Sequence, residues 1–195
     1  MANVTGSTDL GYTTWIDPVI AAGVILDPLR DHSEATMECS MSASLVIFAD
    51  GSYDASARAG GWAFVVLEDD RQIHAASGSE AGETNNSFEV IAVVKALLWL
   101  ESDTQTRNAI LQTDSAHVVE GWHRWLAIWR NNGWRRVNPN QRSRRRQIPD
   151  AVLWQQLDAL RKRNPLVSIE LCKGHSGIAG NDRADLLARQ AAHMA

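Results

Sequence analysis

Leu45-Val46-Ile47-Phe48-Ala49-Asp50-Gly51-Ser52 sets five apolar, mostly β-forming residues directly against an acid and a glycine. A run of this length reads as a buried strand, and Asp-Gly-Ser reads as the turn that ends it. A carboxylate at the end of a buried strand is costly unless a charge or water compensates it. Alone, Asp50 reads equally well as an exposed turn aspartate.

The pattern continues on the C-terminal side. Gly60-Gly61 opens Trp62 to Leu67, a second strand, and Glu68-Asp69-Asp70-Arg71 is a turn into a third at Gln72 to Ser77. Three strands joined by short turns form a meander. Residues 86–101 read as a helix capped by Asn85 or Asn86. Between Phe88 and Leu100 its only charges are Glu89 and Lys95, so it is largely buried. Ala109 to Thr113 is a fourth strand ending at Asp114. A helix from Ser115 to Asn131 follows, with Trp122, Trp125 and Trp129 at i, i+3 and i+7, then a second from Pro149 to Arg163. Leu166 to Cys172 alternates as a fifth strand, and a last helix spans about 181–192. Strands four and five follow helical crossovers and are expected to run parallel to strand one. The expected fold is α/β, a mixed five-stranded sheet flanked by helices.

Asp114 ends its strand as Asp50 does. If these strands are adjacent and parallel, both acids emerge at the carboxyl edge of the sheet, where open α/β sheets gather ligands. Glu89 lies near the start of the buried helix among Phe88, Val90 and Ile91, and reads either as a helix-dipole glutamate or as a group aimed at a partner. Asp182 is nearer than Asp185 to the start of the last helix, which frees Asp185 to face the sheet. Carboxylates that converge stay ionised together only with cations between them, and hard oxygen ligands suit Mg²⁺ or Mn²⁺. Two such ions about 4 Å apart can activate a water and stabilise a leaving oxygen at a phosphodiester. His175, in Lys173-Gly174-His175-Ser176-Gly177, reads as a proton carrier beside them or as a solvated loop histidine.

The net charge of −4 conceals an asymmetry. Residues 1–43 hold six acids and one base, which leaves 18 bases and 17 acids for the rest, and residues 130–146 carry seven arginines and no acid. Local charge decides polyanion binding. Residues 1–43 read as a flexible acidic extension. Cys39 and Cys172 match no metal or disulfide pattern and read as free thiols in a reducing compartment. With no secretory signal and no apolar run long enough to span a bilayer, the expected location is cytoplasmic. No obligate protein partner is evident, and a monomer is expected.

Five pieces in order, Asp50-Gly51-Ser52, Thr84-Asn85-Asn86-Ser87-Phe88-Glu89, Thr113-Asp114-Ser115, Gly174-His175-Ser176-Gly177 and Asn181-Asp182-Arg183-Ala184-Asp185, resemble the type 1 bacterial-like ribonuclease H family. The resemblance covers about residues 44–193. It implies the ribonuclease H fold and hydrolysis of the RNA strand of an RNA–DNA hybrid. It implies two Mg²⁺ ions, replaceable by Mn²⁺, on Asp50, Glu89, Asp114 and Asp185, with His175 assisting turnover. It also implies that Asn85 and Asn86 contact the substrate and that Thr84 helps hold a DNA phosphate. Residues 122–146 look like the family's basic protrusion. There Trp125, Trp129, Trp134, Arg135, Arg136, Arg144, Arg145 and Arg146 are expected to bind the substrate, although the tryptophans also read as a core-facing stripe. Two places depart from the family's pattern. The loop after Asp50 lacks an Asn-Pro-Gly-rich stretch, with Ser56 expected to replace its contact. Ala116-His117 stands where the family often has Gln-Tyr, so a contact there is expected to be missing or rerouted.

Overall fold

In a computed structural model the chain is described over residues 44–80, 82, 84–103, 108–136 and 147–194. The acidic extension and Arg142, Arg144, Arg145 and Arg146 lie outside these residues.

The three leading strands are β1 (Leu45–Asp54), β2 (Ala59–Glu68) and β3 (Arg71–Glu80). They form the expected antiparallel meander, with Leu45 opposite Glu68 and Asp54 opposite Ala59. Two parallel strands complete the sheet, β4 (Ala109–Thr113) beside β1 and β5 (Val167–Leu171) outside β4, in the order β3-β2-β1-β4-β5. One correction concerns Asp50. It does not end its strand: β1 runs four residues further, because Asp50 to Asp54 pair with Ala59 to Ala63 across the hairpin.

Alternation assigns each strand residue to a face. Leu45, Ile47 and Ala49 join Leu111, Val90, Val93 and Leu97 in the larger core, under α1 (Asn85–Ser102) and α4 (Ala151–Arg163). Phe48 and Val65 pack on the opposite face with Ala184 and Leu187 of α5 (Ala179–Ala192). Asp50 shares the parity of Val46 and Phe48, the face that α5 covers.

The helix expected over 115–131 is three pieces: α2 (Ala116–Glu120), a π turn (Gly121–Trp125) and α3 (Leu126–Asn131). Its signature is the i→i+5 bond from the Leu126 N–H to the Gly121 carbonyl. Gly121 abuts Trp154 so closely that a Cβ there would lie 2.2 Å from the indole ring. The added residue turns the tryptophan stripe. Trp122 is buried beneath the Arg161 guanidinium, while Trp125 and Trp129 remain half-buried at the surface of the core.

Asp158 is buried on α4 and bonds Arg130 of α3 at 2.8 Å and Lys162 at 2.6 Å. One of the seven arginines of residues 130–146 is therefore engaged in joining α3 to α4. No helix among the described residues is long and apolar enough to cross a membrane. Cys172 is a free thiol, and Cys39 lies outside the described residues.

Candidate active site

The parallel register that sets Phe48 beside Gln112 places Asp50 and Asp114 two residues beyond that pair on neighbouring strands. Both acids therefore stand side by side at the carboxyl edge. Asp114 is fixed between fully buried Thr113, whose hydroxyl accepts from the Ser115 N–H, and Ser115 itself, which caps α2.

Glu89 arrives from the other face. The helix that carries it is capped by Thr84, not by Asn85 or Asn86: the Thr84 hydroxyl accepts from the Ser87 N–H at 3.3 Å. Glu89 sits one turn in, and Asn85 donates to its Oε1 at 3.0 Å. The Gly51 N–H donates to Glu89 Oε2 at 3.3 Å and to Asp50 Oδ1 at 2.8 Å. Asp50, Glu89 and Asp114 each offer an oxygen within 4.8 Å of the others.

Asp50 is 5% exposed and Glu89 7%. Burial, reinforced by Asp114 and Asp185, pushes the Asp50 carboxyl up to about 7. Burial, reinforced by Asp50 and Asp114, pushes Glu89 up to about 9. Neutral water-like surroundings would not produce these shifts; three acids sharing a dehydrated pocket do. An all-carboxylate set in which Asp50 and Glu89 resist ionisation fits a hard divalent cation.

Asp185 stands outside this group of three. Its Oδ1 accepts from Arg189 Nε at 2.7 Å, and its Oδ2 accepts from the same guanidinium. His175 lies on the loop between β5 and α5 at φ 50°, 73% exposed, with Nδ1 3.8 Å from Asp185 Oδ2. The loop closes over Asp114: a Cβ on Gly174 would lie 2.4 Å from Asp114 Oδ2.

A cavity of about 370 Å³ is lined by Thr84, Asn86, His117, Trp125, Trp129, Arg136, Ile148, Pro149, Asp150 and Trp154, and of these Asn86 and His117 lie three residues along the chain from Glu89 and Asp114. It brings together several expected substrate contacts, but not all. Asn85 is engaged with Glu89. The Ser56 hydroxyl is turned to Asp54 Oδ1 in the exposed β1–β2 turn. Trp134, at φ 58°, packs against the core, and Arg135 bridges to Gln147 through its backbone. His117, read as a departure, lies edge-on to Trp125 at 5.0 Å and Trp154 at 5.4 Å, so it forms part of the aromatic wall.

Asp150 and Arg189 were not singled out from the sequence. Asp150 takes φ 54° just before α4 and accepts from the Ser87 hydroxyl at 2.8 Å, which in turn lies 2.8 Å from the Thr84 hydroxyl. A carboxylate only accepts, so the Thr84 hydroxyl donates to Ser87. The signal available for Arg189 was its i+4 spacing from Asp185.

A family model described as RNase H matches residues 42–193. A ribonuclease H of Rhizobium johnstonii is 37% identical over 144 residues, 74% of this chain and 88% of that protein. The crystal structure of LC9-RNase H1, a type 1 RNase H with the type 2 active-site motif, superposes with a TM-score of 0.66 at 24% identity, over 78% of this chain and 74% of that one. A foamy viral protease-reverse transcriptase solved in complex with an RNA/DNA hybrid gives a TM-score of 0.67 at 19% identity, over 87% of this chain and 23% of that one.

Proposed function

The chain belongs to the ribonuclease H family, and from that premise we propose that residues 44–195 form a catalytic domain hydrolysing the RNA strand of RNA–DNA hybrids. The observation that carries this reading is the convergence of Asp50, Glu89 and Asp114, accompanied by an aromatic and cationic cavity. Asp50, Glu89, Asp114 and Asp185 would hold two Mg²⁺ ions, with Mn²⁺ as a substitute. When bound, such ions supply an activated water and stabilise the leaving oxygen of a phosphodiester.

The remaining roles follow from position. Gly51 and Asn85 hold Glu89 by hydrogen bonds from opposite sides. His175 is exposed enough to exchange protons with solvent and close enough to Asp185 to act at the edge of the site. Trp125, Trp129 and His117 offer faces and edges to a sugar or base, and Arg136 offers a charge to a phosphate. Recognition through shape and the ribose 2′-OH, without sequence reading, suits such a wall. Arg135, Arg144, Arg145 and Arg146 would extend the electrostatic footprint along the backbone. Asn86 and Thr84 line the cavity and would meet a strand that enters it, and Ser56 would act only after leaving Asp54. A chain of this kind would work in the cytoplasm as a monomer.

The test is cleavage of a labelled RNA strand in a hybrid with Mg²⁺ or Mn²⁺, with duplex DNA and single-stranded RNA as controls. Cleavage of the hybrid alone is expected, and its loss in Asp50→Asn and Asp114→Asn. Full activity in either variant would refute the carboxylate assignment.

A further inference from the structure

The four acids are not equivalent before any cation binds. Among the described residues no ion pair reaches Asp50, Glu89 or Asp114, whereas both oxygens of Asp185 are held by one guanidinium. Paired N–H···O bonds of this kind occupy the in-plane lone pairs that a chelated cation would also use. The pairing is local to α5, because residues four apart stack on one face. It therefore forms whether or not the other three acids are in place.

The protein thus pairs its fourth acid with its own guanidinium, while among the described residues the other three have no ion pair. A cation entering at Asp50, Glu89 and Asp114 displaces no such pair, although Arg189 is near enough to Asp50 to feel its charge. A cation that chelates Asp185 has to displace the Arg189 bonds, and one that takes a single free lone pair still sits near a positive charge. We propose that Arg189 is a positioning residue that holds Asp185 away from the three-acid cluster and so weakens the Asp185-dependent step of metal binding relative to the first. His175, 3.8 Å from the same Asp185 oxygen, shares that junction, so release of Asp185 from Arg189 also changes what His175 faces. This inference rests on the metal-site reading above.

Mn²⁺ bound to chelator-treated full-length protein, counted by the electron paramagnetic resonance of the free ion and by calorimetry, tests it without substrate. Arg189→Gln is expected to leave the first dissociation constant unchanged and to tighten the second about fivefold, the scale of one partly exposed charge pair. Arg189→Lys, a point charge without the planar fork, should fall between the two. A tighter second step cannot arise from unfolding, and the Lys variant still allows the comparison if the Gln variant folds poorly. If wild-type protein takes up one ion and the Gln variant two, the proposal stands; if both take up one, or the second constant is unchanged or weaker, it falls. Should Asp50→Asn bind Mn²⁺ as wild-type protein does, the metal-site reading fails with it. If Asp50→Asn loses the first ion while Arg189→Gln matches wild type, only the role of Arg189 is overturned.

Discussion

The backbone N–H of Gly51 reaches Glu89 Oε2 at 3.3 Å, across the seam where β1 passes the first turns of α1. That contact requires a glycine. A Cβ at Gly51 would lie 2.2 Å from the Glu89 nitrogen and 2.3 Å from the Phe88 carbonyl carbon, and both are backbone atoms that cannot swing aside. The close approach is what sets the Glu89 carboxylate beside Asp50.

Gly51→Ala should therefore push α1 away from β1. The expected destabilisation is about 1–3 kcal/mol, the usual range for overpacking a filled interior. The loss of metal affinity should exceed what that destabilisation explains, because the strand and the helix carry different acids of the proposed metal site. Chemical denaturation together with Mn²⁺ titration measures both. Unchanged metal affinity in a destabilised variant would show that the seam is structural only.

The raised carboxyls predict a pH dependence in the metal-free protein. In the unfolded chain both groups titrate near 4. In the folded chain Asp50 is held up to about 7 and Glu89 to about 9. Between these limits the folded state keeps protons that the unfolded state has released. Their contribution is fully present below about pH 4 and is lost as pH rises through 7 and then 9. With chelator present, Tm should fall from pH 5 to pH 9. Glu89→Gln, which cannot ionise, should flatten that fall and stabilise the metal-free protein at pH 8 by about 1–3 kcal/mol. Saturating Mg²⁺ should reverse the order of the two proteins. A flat wild-type profile in chelator would contradict the coupling.

What the sequence disclosed and what it withheld divide along a physical line. The apolar runs and the helical crossovers were enough for the order of elements along the chain, the antiparallel meander and the parallel direction of β4 and β5, because alternation and connection rules are local or topological. The adjacency of β1 and β4, on which the side-by-side placement of Asp50 and Asp114 depends, stood only as a condition and comes from the sheet itself. The end of β1 was misplaced because a charged residue does not stop a strand whose neighbour keeps offering hydrogen-bond partners, as Ala59 to Ala63 do. The π turn was invisible because its visible correlate, the Gly121–Trp154 contact, joins residues on separate elements. Without that turn Trp122, Trp125 and Trp129 look like one stripe. The Thr84 cap was overlooked because two asparagines after it are equally good capping residues on composition alone.

Asp158 tests how the protrusion is anchored. It is 4% exposed, and its two oxygens bind Arg130 and Lys162, so it ties α3 to α4 beneath the aromatic wall. Asp158→Ala removes two charge-assisted bonds and leaves two cations, each half-exposed and able to turn to solvent. A loss of about 2–3 kcal/mol is expected. The effect on hybrid cleavage should appear in KM, because α3 carries Trp129 and none of the four acids. A fall in kcat at unchanged KM would place the anchor in the catalytic step instead.

Trp129 and Arg136 line the same cavity but should act through different physics. Trp129 meets Trp154 at 5.3 Å and 74°, and it packs against the core, so it is already fixed before a strand arrives. A fixed aromatic face gains stacking energy at little entropic cost, and stacking is nearly independent of salt. Trp129→Ala should therefore raise KM by an amount equivalent to about 1–3 kcal/mol while leaving the slope of log affinity against log salt unchanged. Arg136 contributes a charge, and neutralising a phosphate releases a counterion. Arg136→Ala should weaken binding less at high salt than at low salt and reduce the slope by about one. Hybrid binding in Ca²⁺ across a salt series, below the melting temperature of each variant, separates the two. If both variants change the slope alike, Trp129 acts by positioning Arg136 and not by stacking. If neither changes it, the charged contacts lie beyond the cavity, with Arg144, Arg145 and Arg146 the next residues to replace.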